Sequence, residues 1–182
     1  MLIRPSKRSD AHSIARVYVI TWQDTYLSVL PYAYLTTMSI PQHAQAFLNE
    51  LKNNHVVSFI AEDRGRVVGF ITGGYERNGD SIYSGEIYTL YVLKNYQRQG
   101  IGLKLVTALA KQLNKFGIYS MLVQVLKQNP YRHFYKKING IYLKTQRLPF
   151  AGETLDVEFY GWIDTTLVYP SSDFNVSSTF AG

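Results

Sequence analysis

The segment Leu90-Tyr-Val-Leu-Lys-Asn-Tyr-Gln97-Arg98-Gln99-Gly100-Ile101-Gly102 reads as a strand, a turn and a glycine-spaced helix start. A helix N-terminus presents four unpaired backbone N–H groups and a partial charge of about +0.5, which suits it to hold a phosphate. Glycines at 100 and 102 leave the backbone open to an anion, and Arg98 and Lys104 add full charges nearby. A dinucleotide-binding loop would need a glycine at 105 and an acid about 20 residues on. Leu105 stands there instead, and no acid occurs before Glu153. The G-x-x-x-x-G-K-S/T spacing of a triphosphate loop is absent. A glycine turn without a ligand is the remaining alternative.

The charge pattern bears on the same segment. Residues 87 to 152 contain eleven Lys and Arg and no carboxylate, in a chain of net charge +6 with thirteen acids. Such a half faces either a polyanion or only solvent. The chain has no cysteine, which excludes disulfides, thiolate metal sites and a cysteine nucleophile. Histidines at 12, 43, 55 and 133 are too far apart to pair on one helix face, so no metal is assigned. Charges at Arg4, Lys7, Arg8, Asp10 and Arg16 interrupt any signal-peptide core. No stretch approaches the ~18 apolar residues of a membrane span. A cytoplasmic protein without a membrane partner is the expectation, and a homodimer would be an ordinary state.

At 182 residues, one domain with a sizeable core must position these groups. Leu2 to Pro5 reads as an opening strand, followed by a helix from about Asp10 to Leu27, a helical turn after Pro31, and a helix from Pro41 to about Lys52. The period then becomes strand-like over Val56 to Glu62, a turn at Asp63-Arg64-Gly65, Val67 to Tyr75, and Gly85 to Leu93. A helix over about Gly100 to Phe116 buries Leu105, Val106, Leu109 and Leu113. Ser120 to Leu126, a short helix over Pro130 to Ile138, and strands at Gly140 to Leu148 and Thr154 to Ile163 complete a mixed α/β sandwich. The crossover from 85 to 126 should be parallel and right-handed. A domain over 1–164 and a Ser/Thr-rich tail over 165–182, expected to be mobile, are the two parts.

With the elements in this order, the residues resemble the GNAT superfamily of acetyl-CoA-dependent N-acetyltransferases. Gln97-x-x-Gly100-x-Gly102 matches the family's Q/R-x-x-G-x-G/A cofactor motif. Glu86-Ile-Tyr-Thr-Leu90-Tyr91-Val92 matches the strand before it. Asn129-Pro-Tyr131-Arg-His-Phe134-Tyr135-Lys136-Lys137-Ile138-Asn139-Gly140 is similar to the N-x-x-x-x-x-Y-x-K-x-G-F segment, with Asn139 inserted and Ile141 in place of phenylalanine. The resemblance spans about residues 2 to 163. It implies a mostly antiparallel central sheet, splayed at one parallel strand pair and flanked by about four helices.

The resemblance further implies that Leu90, Tyr91 and Val92 pair with the pantetheine arm of acetyl-CoA as a pseudo-strand. Backbone groups of Gln97, Arg98, Gln99, Gly100, Ile101 and Gly102 would bind the pyrophosphate, and Asn129 and Tyr135 would complete the cofactor site. Arg98, Lys104, Lys136 and Lys137 are candidates for the remaining phosphate. For catalysis it implies Glu86 as a general base, the Leu90 N–H as oxyanion donor, and Tyr135 as the acid that protonates departing coenzyme A.

A base is worth having, since neutralising a lysine-like amine at pH 7 costs roughly 4.6 kcal/mol. Strand alternation puts Glu86, Tyr88, Leu90 and Val92 on one face, with Glu86 roughly 13 Å from Leu90. That distance suggests proton removal through a water or across a splay rather than by direct contact. Tyr135 also fits a core stripe with Tyr131, Phe134 and Ile138, and Asn129 also fits a helix cap before Pro130. Trp22, Tyr26, Tyr75 and Tyr88 are candidates for the acceptor site, where aromatic walls with Asp24 and Glu86 nearby would suit a cationic amine.

The expected activity is acetyl transfer from acetyl-CoA to a small-molecule or peptide amine. A catalytically silent acyl-CoA sensor is the alternative, and nucleic-acid binding by the basic half is disfavoured because no recognised module is present.

Overall fold

The computed structural model describes residues 1–150 and 152–168. Strand β1 (Leu2–Pro5) leads into α1 (Ala11–Tyr26), α2 (Tyr32–Thr36) and α3 (Ile40–Glu50). Strands β2 (Val56–Asp63), β3 (Arg66–Tyr75) and β4 (Gly85–Val92) follow. Helix α4 (Ile101–Lys115) crosses to β5 (Met121–Leu126), and α5 (Phe134–Lys137) precedes the hairpin of β6 (Ile141–Phe150) and β7 (Glu153–Trp162). The seven strands lie in the order β1-β2-β3-β4-β5-β7-β6, antiparallel except at β4 and β5. The expected mixed sheet with one parallel pair is what forms.

Each sheet face is covered by the apolar side of helices whose periodicity the sequence displays. On one face α4 buries Leu105, Val106, Leu109 and Leu113 against Ile71, Ile87, Val123 and Tyr160. On the other, Ile14 and Val17 of α1 and Ala44 and Phe47 of α3 pack on Ile60 and Phe70. A third cluster joins Trp22, Tyr26, Leu30 and Leu35 to Leu126, Val157 and Phe159, where the long β6–β7 hairpin reaches back over α2. Among the described residues, no helix is long and apolar enough to cross a membrane.

Two helices differ from the sequence reading. The turn after Pro31 is a full short helix, α2. The helix expected from Pro130 shrinks to Phe134–Lys137, because the Asn129 Oδ1 accepts from the Tyr131 amide (2.8 Å) and bends the chain in an Asx turn. Asn129 is therefore a turn former, and His133 is the cap position of α5.

The inserted Asn139 takes a left-handed φ of 62°. Gly140 then runs beneath Trp162, where a Cβ would come within 2.8 Å of the indole and of the Tyr135 carbonyl oxygen. Past residue 164, Thr165–Leu167 forms a 3-10 turn and Val168 is buried on the α4 side of the sheet. The rest of the expected tail lies outside the described residues.

Candidate active site

β4 and β5 pair over only three positions, Gly85 with Met121, Glu86 with Leu122 and Ile87 with Val123. Beyond Ile87 the two strands separate, while β4 stays paired to β3 as far as Val92 opposite Gly69. The register slips between Thr72/Gly73, which face Thr89 and Ile87, so Tyr88 is an extra residue on β4. This bulge inverts the alternation that follows it.

The Leu93 amide donates to Val68 O of β3 (2.9 Å), and the Gly85 amide to Ser120 O on the β5 side (2.9 Å). Counting back from Leu93 turns the Leu90 and Val92 amides to the free edge. The split thus has backbone donors aimed into it from one wall.

The bulge also overturns the expectation that Glu86 and Leu90 share a face. Leu90 and Val92 pack on the α4 side with Ile87, and Tyr91 packs on the α1 and α3 side. Glu86 meets Gln124, whose neighbour Leu126 belongs to the cluster of α1 and α2.

At the mouth of the split the chain turns through Arg98, with φ 63°, and Gly100, with φ 76°, into α4. The first helical amide to bond backward is that of Lys104, to Gly100 O (3.1 Å). Among the described residues the amides of 98 to 103 have no protein partner. Gly100 is needed for its left-handed backbone, since a Cβ there would meet nothing within 4 Å. Gly102 has a different reason: its Cβ would lie 3.1 Å from the Phe134 ring. Gln97 holds the turn against the strand, its Nε2 donating to Val92 O (3.0 Å). Arg98, Gln99 and Lys104 are exposed around the nest.

The hydroxyl groups of Tyr26, Tyr91 and Tyr135, from α1, β4 and α5, lie near one another. The Tyr26 hydroxyl accepts from Asn129 Nδ2 (2.8 Å), and burial pushes it up to about 12. Tyr135 is buried beside Tyr160 and Trp162. Burial, with Tyr26 nearby, raises its phenol far above the usual tyrosine range, so it stays protonated. Tyr91 is shifted upward by desolvation in the same way. The Trp22 indole Nε1 is buried facing the Tyr91 hydroxyl, and the Thr21 hydroxyl is buried without a hydrogen-bond partner among the described residues.

The four aromatic acceptor candidates fall into two groups. Trp22 and Tyr26 lie side by side (4.8 Å), with Phe150 stacked on Trp22 at 5.5 Å. Tyr75 and Tyr88 lie at the other end of the split, where the Tyr88 hydroxyl donates to Tyr75 O (2.7 Å).

There the expected seat for a substrate cation is filled by the protein's own Arg77, 4.0 Å above the Tyr88 ring. Arg77 Nη2 and Nε donate to the two Glu86 oxygens at 2.7 and 2.9 Å. Its backbone amide (3.3 Å) and Gln124 Nε2 (3.3 Å) add to the same carboxylate. Glu86 is 1% exposed. Asp24 lies on the exposed side of α1.

Arg77, Gln124, Glu50, Thr72 and Thr89 escaped the sequence reading. They come from separate elements, and no spacing in the chain links them.

The comparisons agree with this geometry. Residues 14–141 match the acetyltransferase (GNAT) family. The chain is 33% identical over 164 residues to an uncharacterized N-acetyltransferase, YuaI, of Bacillus subtilis (strain 168), covering 89% of this chain and 92% of that protein. In fold it is similar to a ribosomal-protein-alanine N-acetyltransferase from Brucella melitensis, with TM-score 0.70, 20% identity, and 89% and 99% of the two chains covered. It is likewise similar to the PaiA N-acetyltransferase from Thermoplasma acidophilum in complex with coenzyme A, with TM-score 0.66, 22% identity, and 87% and 98% covered. An amide nest at the mouth of a sheet split along its one parallel pair, on a chain matched to that family over most of its length, makes this protein a member of the GNAT acetyltransferase family and an acyltransferase.

Proposed function

We propose that the protein transfers an acetyl group from acetyl-CoA to a primary amine by direct attack. The observation that carries this reading is the run of unpartnered amides from 98 to 103 at the mouth of the β4–β5 split. Those amides would receive the pyrophosphate, and the basic surplus around them the remaining phosphate. The open edge of Leu90, Tyr91 and Val92 would take the pantetheine arm as an added strand.

The Leu90 amide, turned into the split, would donate to the thioester oxygen as charge develops on it. Tyr135, held protonated by burial, would give its proton to the departing thiolate. Asn129, bonded to Tyr26, would position the hydroxyl group around that event. Glu86 would take the amine's proton through water. Because Arg77 and Gln124 hold both its oxygens, it can do so only as the Arg77 pair opens.

The acceptor would enter between the Trp22 and Tyr88 groups as a small-molecule or peptide amine. Isothermal titration with acetyl-CoA, followed by turnover against a panel of primary amines, tests the reading. Micromolar binding and amine-dependent release of coenzyme A are expected, and absence of acetyl-CoA binding at ordinary salt would refute it.

A further inference from the structure

The Arg77 lock on Glu86 raises the matter of where the amine's proton goes while the pair is closed. Thr72 is fully buried on β3, and its Oγ1 lies 2.8 Å from Thr89 Oγ1 on β4. Thr89 directly precedes Leu90 and follows the bulge, where β4 has left its β5 partner. At the other end of this hydroxyl pair stands Glu50, the last residue of α3, against the Thr72 hydroxyl. Glu50 is half-buried and, among the described residues, forms no ion pair within 4.0 Å. From α3 to the open edge of β4, Glu50 interacts with the Thr72 hydroxyl and Thr72 is bonded to Thr89, so a carboxylate and two hydroxyl groups succeed one another toward the head of the split.

We infer that Glu50 is the proton acceptor of the transfer reaction, reached from the attacking amine through Thr89 and Thr72, while Glu86 holds Arg77 in place. The inference rests on the acetyl-transfer reading and replaces water-mediated uptake by Glu86 as the route open with the ion pair closed.

In the step, an ammonium proton passes to Thr89 Oγ1 as the Thr89 hydrogen passes to Thr72 Oγ1 and the Thr72 hydrogen to Glu50. The neutral nitrogen bonds to the thioester carbonyl carbon, the C–S bond breaks, and the thiolate takes the Tyr135 proton. Of the three protons on the ammonium nitrogen, one stays in the amide, one restores Tyr135, and one leaves by way of Glu50 to water.

The surroundings of Glu50 favour that role. Desolvation raises its carboxyl above the ordinary range, against the opposing pull of the Thr72 hydroxyl and the Arg77 charge. The groups facing it are Tyr18 of α1, Thr72 of β3, Arg77 of the β3–β4 loop, and Tyr88 of β4, with Glu86 behind Arg77. Tyr18 and Tyr88 are themselves shifted upward by burial and stay neutral. A carboxyl with a raised pKa accepts a proton only above that value, so kcat should rise with pH through an acidic limb that belongs to Glu50.

The test is the pH profile of kcat for the best amine in the panel, measured on wild type, Glu50→Gln, Glu50→Asp, Glu86→Gln, Thr72→Val and Thr72→Ser, with a thermal melt of each. Glu50→Gln should lose roughly 100-fold in kcat, lose the acidic limb, and keep the wild-type KM for acetyl-CoA. Glu50→Asp should recover part of the rate, Glu86→Gln should keep the limb, and Thr72→Ser should be active where Thr72→Val is not.

An acidic limb unchanged in Glu50→Gln, or abolished in Glu86→Gln alone, overturns the relay. Either result leaves acetyl transfer standing, since the wild-type protein would still bind acetyl-CoA and turn over. A wild-type protein that binds no acetyl-CoA overturns both.

Discussion

Replacing Arg77 by Met isolates the interaction that fixes the head of the split. Removing one partner of a fully buried ion pair strands the other and costs about 3–5 kcal/mol, whereas exposed pairs contribute about 0–1 kcal/mol. This pair is mixed, with the Glu86 side chain 1% exposed and that of Arg77 56%. Solvent screening on the Arg77 side brings the expected loss to about 2–3 kcal/mol. In a chain of this length each kcal/mol moves Tm by about 2–4 °C, so the variant should melt roughly 4–12 °C below wild type.

Adding Glu86→Gln to Arg77→Met removes the stranded charge and should recover most of that loss, with a coupling energy of about 1–3 kcal/mol across the cycle. Differential scanning calorimetry of the four proteins at pH 7 measures it. An Arg77→Met melt within about 2 °C of wild type, or a double variant no more stable than Arg77→Met, would show that Glu86 is not held by this pair.

The other predictions concern the acid and the loop that carries Arg77. Tyr135→Phe should lower kcat by roughly 100-fold without weakening acetyl-CoA binding, as read by steady-state kinetics and titration. Because burial raises the Tyr135 phenol, the group stays protonated as pH increases. The wild-type rate should therefore show no loss from Tyr135 ionisation up to about pH 10, and a basic limb that disappears in Tyr135→Phe would contradict this. Gly161→Ala would put a methyl 2.5 Å from the Tyr83 ring, which is itself 5% exposed. Forced displacement of Tyr83 should cost about 1–3 kcal/mol and loosen the β3–β4 loop, detected as a lower Tm and faster amide exchange over residues 76–84.

How far the sequence reached can be judged residue by residue. The helix faces of α1, α3 and α4 follow from apolar spacing, and the buried side chains are those the period marks. The fold class follows from the order of those elements. Asn129 and Gly102 were legible as special positions, yet each also has a distant partner that chain spacing does not show. Asn129 closes an Asx turn and ties to Tyr26, 103 residues away in the chain, and Gly102 makes room for Phe134. Trp22, Tyr26, Tyr75 and Tyr88 could be picked out by residue type, but pairing Tyr88 with Arg77 requires the loop's path.

The run of unpartnered amides at 98 to 102 was readable from the chain alone because its cause is local, whereas Gln97, expected with them, spends its amide on Lys94 O (3.2 Å). Left-handed backbone at Gly100 and the unpaired first turn of a helix depend on neighbours only a few bonds away. The face on which Glu86 stands was not readable, because the bulge at Tyr88 exists only in the register between β4 and β3. Alternation counted along one strand cannot include a residue that its partner leaves unpaired. For the same reason the Glu50–Thr72–Thr89 succession and the Arg77 lock appear only after tertiary packing brings helix, strand and loop together.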